Sequence, residues 1–304
     1  MKYVLAISGG MDSMLMLSMM AQDYEMRDNL VVAHYNHKMR PSADDDATFV
    51  KHWAEDVYNV PFYYGEAKPG EIKSEEQARN KRYAFLHRVA KETGGNILTA
   101  HHVNDMVETM AINVLRGTGW RGLSPFSDTR THQFFFEFVH SKREILELAD
   151  INQVVFRQDP TNTEDTYLRN RVREKIAPLD EEFFHHVWSA YIEQLELKDE
   201  IDGIIAKLLP KDGRYERAWF IKQLDYKSAL EILRAGLLKI GISATRPQLM
   251  DFLMAIKNYA PEKKFNLPGG KMVTLHKTYF ILRPEPNNAN NNILPPEDTS
   301  YPDE

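Results

Sequence analysis

The first 115 residues alternate between two patterns, and this constrains the fold more than any other feature of the chain. Short apolar runs of strand length fall at residues 3–7, 30–34, 61–64 and 96–100. Between them lie stretches with helical spacing at residues 12–22, 44–58, 75–93 and 105–115. In the second stretch Phe49, Trp53 and Val57 recur at i, i+4 and i+8, as one face of a helix requires. Gly94-Gly95 stops the third, and Gly117 ends the fourth. Strands that alternate with helices predict an α/β fold, a parallel sheet with helices on both faces. Such sheets bind ligands at the carboxyl ends of their strands. Ser8-Gly9-Gly10, Asn36-His37 and His101-His102 all fall there.

Further on, residues 183–209, 224–240 and 247–257 read as helices. Residues 264–267 and 271–282 read as strands around the turn Pro268-Gly269-Gly270. This is a smaller α+β module. The expected organisation is a catalytic domain over 1–184, a helical linker over 185–210, a small domain over 211–284 and a disordered acidic tail over 285–304. The charges divide the same way. Residues 1–210 carry 24 Lys+Arg against 33 Asp+Glu, residues 211–284 carry 14 against 6, and residues 285–304 carry none against 5. A basic module beside an acidic one points to a polyanion partner, although a solvated basic surface has the same composition. The 304 residues contain no cysteine. That excludes disulfides, cysteine-ligated zinc or iron–sulfur sites, and thiol or persulfide chemistry by these residues. The longest apolar runs fall far short of a membrane span, and the first residues do not read as a signal peptide. A soluble, cytoplasmic protein is expected.

The sharpest local signal is Ser8-Gly9-Gly10-Met11-Asp12-Ser13, between the first strand and the first helix. Paired glycines let backbone amides approach an anion, and the helix N-terminus adds aimed N–H groups and partial positive charge. Ser8 and Ser13 add hydroxyls. Asp12 repels a bare phosphate but suits one bridged by Mg²⁺. There is no Gly-Lys-Ser/Thr and no third glycine, so this is neither a Walker A loop nor a dinucleotide fingerprint. Taken alone, the Gly-Gly pair reads more readily as a plain capped strand-to-helix turn than as a phosphate loop.

In context, the loop resembles that of the N-type ATP pyrophosphatases. Further segments resemble the tRNA(Ile)-lysidine synthase family in a short form. They are Ala33-His34-Tyr35-Asn36-His37-Lys38-Met39-Arg40, Glu76-Gln77-Ala78-Arg79 with Arg82-Tyr83, and Thr99-Ala100-His101-His102 through Asp105, Glu108 and Thr109. Arg116-Gly117-Thr118-Gly119 follows, then Asp159-Pro160-Thr161-Asn162 with Tyr167, Arg169, Asn170 and Arg173. Their order matches over roughly residues 1–180, and Leu267-Pro268-Gly269-Gly270 resembles the family's small C-terminal domain. Four departures stand out. Asn104 and Met106 replace an acid and a glutamine, Asn36 stands where an Asp is common, and residues 138–143 lack the usual Arg-Pro-Leu.

The resemblance implies ATP-dependent ligation of L-lysine to C2 of a cytidine in the CAU anticodon of an isoleucine tRNA. The base is first adenylated with release of pyrophosphate, and lysine then displaces AMP. It implies nucleotide contacts from Ser8, Gly9, Gly10, Met11, Asp12, Ser13, His34 and His101, with Asp12 on Mg²⁺. Asp12, Asp105, Glu108 and Arg116 are the implied catalytic residues. Asn36, Arg40, Arg79, Arg82, Tyr83, Tyr167, Arg169, Asn170 and Arg173 are the implied substrate contacts. A homodimer is one assembly the family suggests. Asp105 and Glu108 are i, i+3 on one helix, a spacing shared by any solvated acidic helix start. Two alternatives stand beside this reading: another ATP pyrophosphatase acting on a tRNA base, and a non-catalytic nucleotide- or RNA-binding homologue. The known thiolating relatives use cysteines or an iron–sulfur cluster, which this chain lacks.

Overall fold

The computed structural model describes residues 1–126, 131–139, 141–157 and 167–283. Within the chain two compact units separate, residues 1–198 and 199–304. The motif Asp159-Pro160-Thr161-Asn162 and the expected tail at 285–304 lie outside the described residues.

The first unit begins with β1 (Lys2–Ala6), α1 (Met11–Gln22), the short α2 (Tyr24–Arg27), β2 (Leu30–Asn36), α3 (Ala43–His52) and β3 (Phe62–Glu66). There follow α4 (Glu75–Thr93), β4 (Gly95–Thr99), α5 (Val103–Leu115), β5 (Thr131–Gln133), α6 (Lys142–Ile151), α7 (Tyr167–Ile176) and the long α8 (Glu181–Leu208), of which the residues up to Lys198 belong to this unit. The five strands form one parallel sheet in the order β3-β2-β1-β4-β5. Strand periodicity divides the core. Leu5, Ile7, Leu30 and Val32 face α1, α3 and α6 together with Met14, Leu15, Val50 and Ile145. Val4, Val31, Ala33 and Ile97 face the other way, onto Phe85, Leu86 and Val89 of α4. The sheet is therefore covered on both sides, as the apolar, non-alternating strands require. A further cluster joins Val103, Met106 and Ile112 of α5 to Val172 of α7 and to Phe184 and Tyr191 of α8.

The chain steps from β1 outward to β2 and β3, then returns to place β4 on the opposite side of β1. The switch point lies at the carboxyl ends of β1 and β4, where open α/β sheets leave a crevice. Sequence periodicity did not reveal β5, because three residues are too few to show a period. The stretch read as helical over 44–58 is an α-helix to His52 followed by a π-turn over Trp53–Val57.

In the second unit, β6 (Arg214–Glu216), β7 (Lys263–Asn266), β8 (Met272–Leu275) and β9 (Tyr279–Ile281) form an antiparallel sheet ordered β6-β9-β8-β7. It packs with α9 (Tyr226–Lys239) and α10 (Arg246–Asn258) around Phe220, Phe252 and Phe280. The stretch 271–282 is thus two strands joined by a turn, and β6 is a partner that the sequence pattern did not show. Arg217 is buried, and its guanidinium donates to the carbonyls of Ile256, Tyr259 and His276 at 2.6–3.0 Å. It closes the C-terminus of α10, where the last carbonyls have no helical partner.

Candidate active site

The loop after β1 is built by its own small side chains. The Ser8 N–H donates to Ser13 Oγ at 3.2 Å, the Gly10 N–H to Ser8 Oγ at 3.3 Å, and Ser13 Oγ donates to the Gly10 carbonyl at 2.9 Å. Gly9 has φ +93°, which L side chains rarely adopt, and a Cβ there would meet Val50 Cγ2 at 3.3 Å. The Arg157 N–H donates to the Gly9 carbonyl at 2.9 Å and so pins the turn from outside. Gly10 caps α1 without a side-chain bond, so the helix N-terminus stays open to an anion.

Asp12, in the first turn of α1, is ion-paired with Lys142 Nζ at the start of α6. Its other oxygen lies 4.0 Å from His102 Nε2, and that nitrogen lies 3.5 Å from Asp105 Oδ2. Three loops thus meet at the switch point: Asp12 from β1–α1, His102 and Asp105 from β4–α5, and Lys142 from α6. Asp105 also accepts the His102 N–H at 3.0 Å, three residues back, as a helix-start acid does. Burial pushes the Asp105 carboxyl up, but His102, His101 and that N–H outweigh it and hold the group below its ordinary value. Burial lowers the buried His102 below its ordinary value, and its Nδ1 has no hydrogen-bond partner.

Glu108 does not share this site. It is buried, and it accepts from Arg173 Nε at 3.0 Å and lies 3.5 Å from Arg169 Nε. Burial outweighs the two guanidinium groups and raises its carboxyl above the ordinary value. The Arg169 and Arg173 side chains therefore tie α7 to α5. Asn170 lies half-buried between them, and Tyr167 opens the helix, its side chain outside those described. Arg116 caps α5 at its far end and is exposed. Thirteen helical residues at 1.5 Å each carry it about 20 Å along the axis from the loop. Lys142, unremarked as a site residue in the sequence, is the cation that the fold brings to Asp12. Its signal was slight: a helix start, with Ser141 as N-cap.

The nucleotide-side candidates divide similarly. His34 is buried and bonded through Nδ1 to the Ile7 carbonyl at 2.8 Å, which ties β2 to the loop. Burial lowers it below its ordinary value, so the ring is neutral. Asn36 is buried and donates to the Ala43 carbonyl, Asp44 and Tyr64, while its own oxygen accepts the Lys38 N–H at 2.8 Å. It shapes the turn after β2. Arg40 pairs with the buried Asp46 at 2.5 Å, which also lies 3.4 Å from Arg157 Nε. His101 bonds Thr99 Oγ1 at 2.8 Å and lies 4.7 Å from the Phe126 ring. Burial pushes it down to about 4. Arg79 and Arg82 lie 4.7 and 5.7 Å over the ring of Tyr83.

Among the described residues no group of three or more His, Asp or Glu forms a metal cage. Asp12 offers one carboxylate beside the open helix start. That donor set fits Mg²⁺, which takes one or two carboxylates and completes its shell with phosphate oxygens and water.

An open parallel sheet with a glycine loop at its switch point defines a class, and comparison gives it a name. The PP-loop domain family matches residues 1–180, and the chain belongs to that family, whose members use ATP. More particularly, the chain is 36% identical over 184 residues to the tRNA(Ile)-lysidine synthase of Streptococcus mutans, which is 58% of this chain and 41% of that protein. It is 31% identical over 301 residues to the tRNA(Ile)-lysidine synthase of Thermus thermophilus, 93% of this chain and 57% of that one. The chain spans about four to six tenths of the length of these curated relatives. The U34-tRNA thiolase NcsA from Methanococcus maripaludis, solved with its [4Fe-4S] cluster, has the same fold at a TM-score of 0.53 and 17% identity, over 64% of this chain and 72% of that one. Among the described residues no helix is long and apolar enough to cross a membrane.

Proposed function

We propose that this protein ligates L-lysine to C2 of the wobble cytidine in the CAU anticodon of an isoleucine tRNA, using ATP. The observation that carries this is the meeting of Asp12, Lys142, His102 and Asp105 beside the Ser8–Ser13 loop, in a chain whose named relatives are lysidine synthases. The loop amides and the start of α1 hold the phosphates of ATP. Asp12 holds Mg²⁺, which when bound neutralises phosphate charge. Lys142 stands beside Asp12 to stabilise the charge that develops as the cytidine C2 oxygen attacks the α-phosphate. This gives Lys142 the part that sequence reasoning gave to Arg116. Pyrophosphate leaves, and the lysine ε-amine then attacks C2 and expels AMP.

The amine must be neutral to attack, and free lysine is mostly protonated at pH 7. Asp105, held ionised, attracts the ammonium but is a weak base. The neutral imidazole of His102, set between Asp12 and Asp105, is the group that takes the proton. Residues 1–184 form the catalytic part of this proposal, and the basic stretch 211–284 grips the tRNA. A homodimer is the proposed assembly.

The test is pyrophosphate release from ATP with unmodified CAU-bearing isoleucine tRNA, with radiolabelled lysine followed onto the tRNA. ATP- and tRNA-dependent lysine incorporation is expected. Pyrophosphate release without lysine transfer would assign a different nucleophile. If ATP binds and neither event occurs, the protein is a non-catalytic homologue.

A further inference from the structure

Asp46 is a carboxylate buried in the first turn of α3, at 6% exposure, and the proposed reaction does not use it. A lone buried carboxylate is costly, and this one is held between two guanidinium groups. Its Oδ2 accepts from Arg40 Nη2 at 2.5 Å, and its Oδ1 lies 3.4 Å from Arg157 Nε. Arg40 belongs to the turn after β2, and Arg157 follows α6. One side chain of α3 thus ties together two segments that are far apart in the chain.

Helical spacing puts two further residues beside it. Phe49 and Val50 lie three and four residues on, on the same face of α3. That face abuts the glycine loop. A Cβ at Gly9 would meet Val50 Cγ2 at 3.3 Å and Phe49 Cδ1 at 3.9 Å. The Arg157 guanidinium lies 5.6 Å over the Phe49 ring. Arg157 is therefore gripped at both ends. Its side chain rests on Asp46 and Phe49, and its main-chain N–H donates to the Gly9 carbonyl at 2.9 Å.

The main-chain grip decides which groups the loop offers. A trans peptide is planar, so the carbonyl of one residue and the N–H of the next point in opposite directions. With the Gly9 carbonyl drawn toward Arg157, the Gly10 N–H is turned the other way, where it meets Oγ of the exposed Ser8 at 3.3 Å. An anion is received by N–H groups, and the reversed peptide would present a carbonyl oxygen to it. Two adjacent glycines adopt either sense readily, so a contact from outside the loop must choose between them.

We propose that Asp46 is a positioning residue for the phosphate loop: by holding Arg157 it keeps the Gly9–Gly10 peptide in the sense that receives an anion. Asp46 touches no reactant. It acts through Arg157, and its two oxygens offset the charges of Arg40 and Arg157. This rests on the reading of the loop as the ATP site, and it is independent of lysine transfer.

The test is a double-mutant cycle on the full chain: Asp46→Asn, Arg157→Ala and both together, read by calorimetric titration with ATP. Arg157→Ala keeps the main-chain donor and removes only its side-chain hold. Each single change is expected to weaken ATP binding about 3- to 10-fold, the size of one well-aimed hydrogen bond. The double change should weaken it no further than the larger single change, because both act through one contact. Affinity for adenosine, which carries no phosphate, should stay the same. Unchanged ATP affinity in Asp46→Asn overturns the proposal. So do additive effects, or an equal loss for adenosine, since both describe a carboxylate that merely holds the fold. If Asp46→Asn does not fold, Arg157→Ala decides, at a side chain that is 45% exposed. ATP affinity equal to that of the unaltered protein then overturns the proposal. Lysine transfer by the unaltered protein is measured in parallel. Its absence, with the cycle as expected, refutes the lysine reaction alone. Its presence, with Asp46→Asn binding ATP as the unaltered protein does, refutes the role of Asp46 alone.

Discussion

Replacing Gly9 by Ala tests whether the phosphate loop depends on a backbone that only glycine adopts cheaply. At φ +93° the methyl group incurs about 1–2 kcal/mol of left-handed strain. It also meets Val50 Cγ2 at 3.3 Å, and Val50 is fully buried against α1 and β2, so it cannot move aside. Overpacking of that kind adds about 1 kcal/mol or more. The expected loss is roughly 2–4 kcal/mol, or a fall in Tm of about 4–16 °C for a unit of this size. Flipping the turn would relieve the strain, but it would break the Arg157–Gly9 bond and the Ser8–Ser13 contacts and so abolish ATP binding. Gly10→Ala is the control. Its φ is −74°, and the nearest atom to a Cβ is Ser8 Oγ at 3.5 Å, an ordinary contact. It should lose less than about 1 kcal/mol. Urea denaturation and calorimetric ATP titration of the two variants decide the matter. A Gly9→Ala protein with the stability and ATP affinity of Gly10→Ala would refute the argument.

Three further outcomes follow from the site. Lys142→Ala should change stability by less than about 1 kcal/mol, since the pair with Asp12 is over a third exposed, yet lower the rate of pyrophosphate release on the order of 100-fold; an unchanged rate in a stopped assay removes Lys142 from the mechanism. Glu108→Gln should change stability by less than about 1 kcal/mol, because burial already disfavours the charged carboxyl and the amide oxygen still accepts from Arg173 Nε; chemical denaturation will read it. Burial, with Arg82 nearby, pushes His37 and His101 down to about 4, so the unfolded chain binds their protons first as pH falls. Stability is therefore whole above pH 6.5 and is lost between 6.5 and 4. At pH 5 the loss reaches up to about 2 kcal/mol for His101 and less for the half-buried His37, and His101→Gln should flatten a urea-midpoint profile in that window.

Much of the fold was legible because its causes are local. The apolar runs at β1, β2 and β4 and the glycines that end the helices are properties of neighbouring residues, and they imply a parallel sheet before any contact is known. β5 and β6 were not legible. Each has three residues, and each exists because a partner strand supplies its hydrogen bonds. The site divides the same way. Ser8-Gly9-Gly10 and Asp12 are contiguous, so the anion loop is visible in the chain. Lys142 lies 130 residues from Asp12, and no spacing rule joins them.

The sequence by itself thus determined the strand–helix alternation, the phosphate loop at the first strand end and the absence of thiol chemistry from these residues. Only the tertiary structure decided which charges do what. Asp105 and Glu108 share one helix face by spacing, yet one faces His102 at the switch point while the other is buried under Arg169 and Arg173. Helical periodicity sets the direction of a side chain to within a turn. What it meets there depends on which element packs alongside, and that is a property of the assembled core.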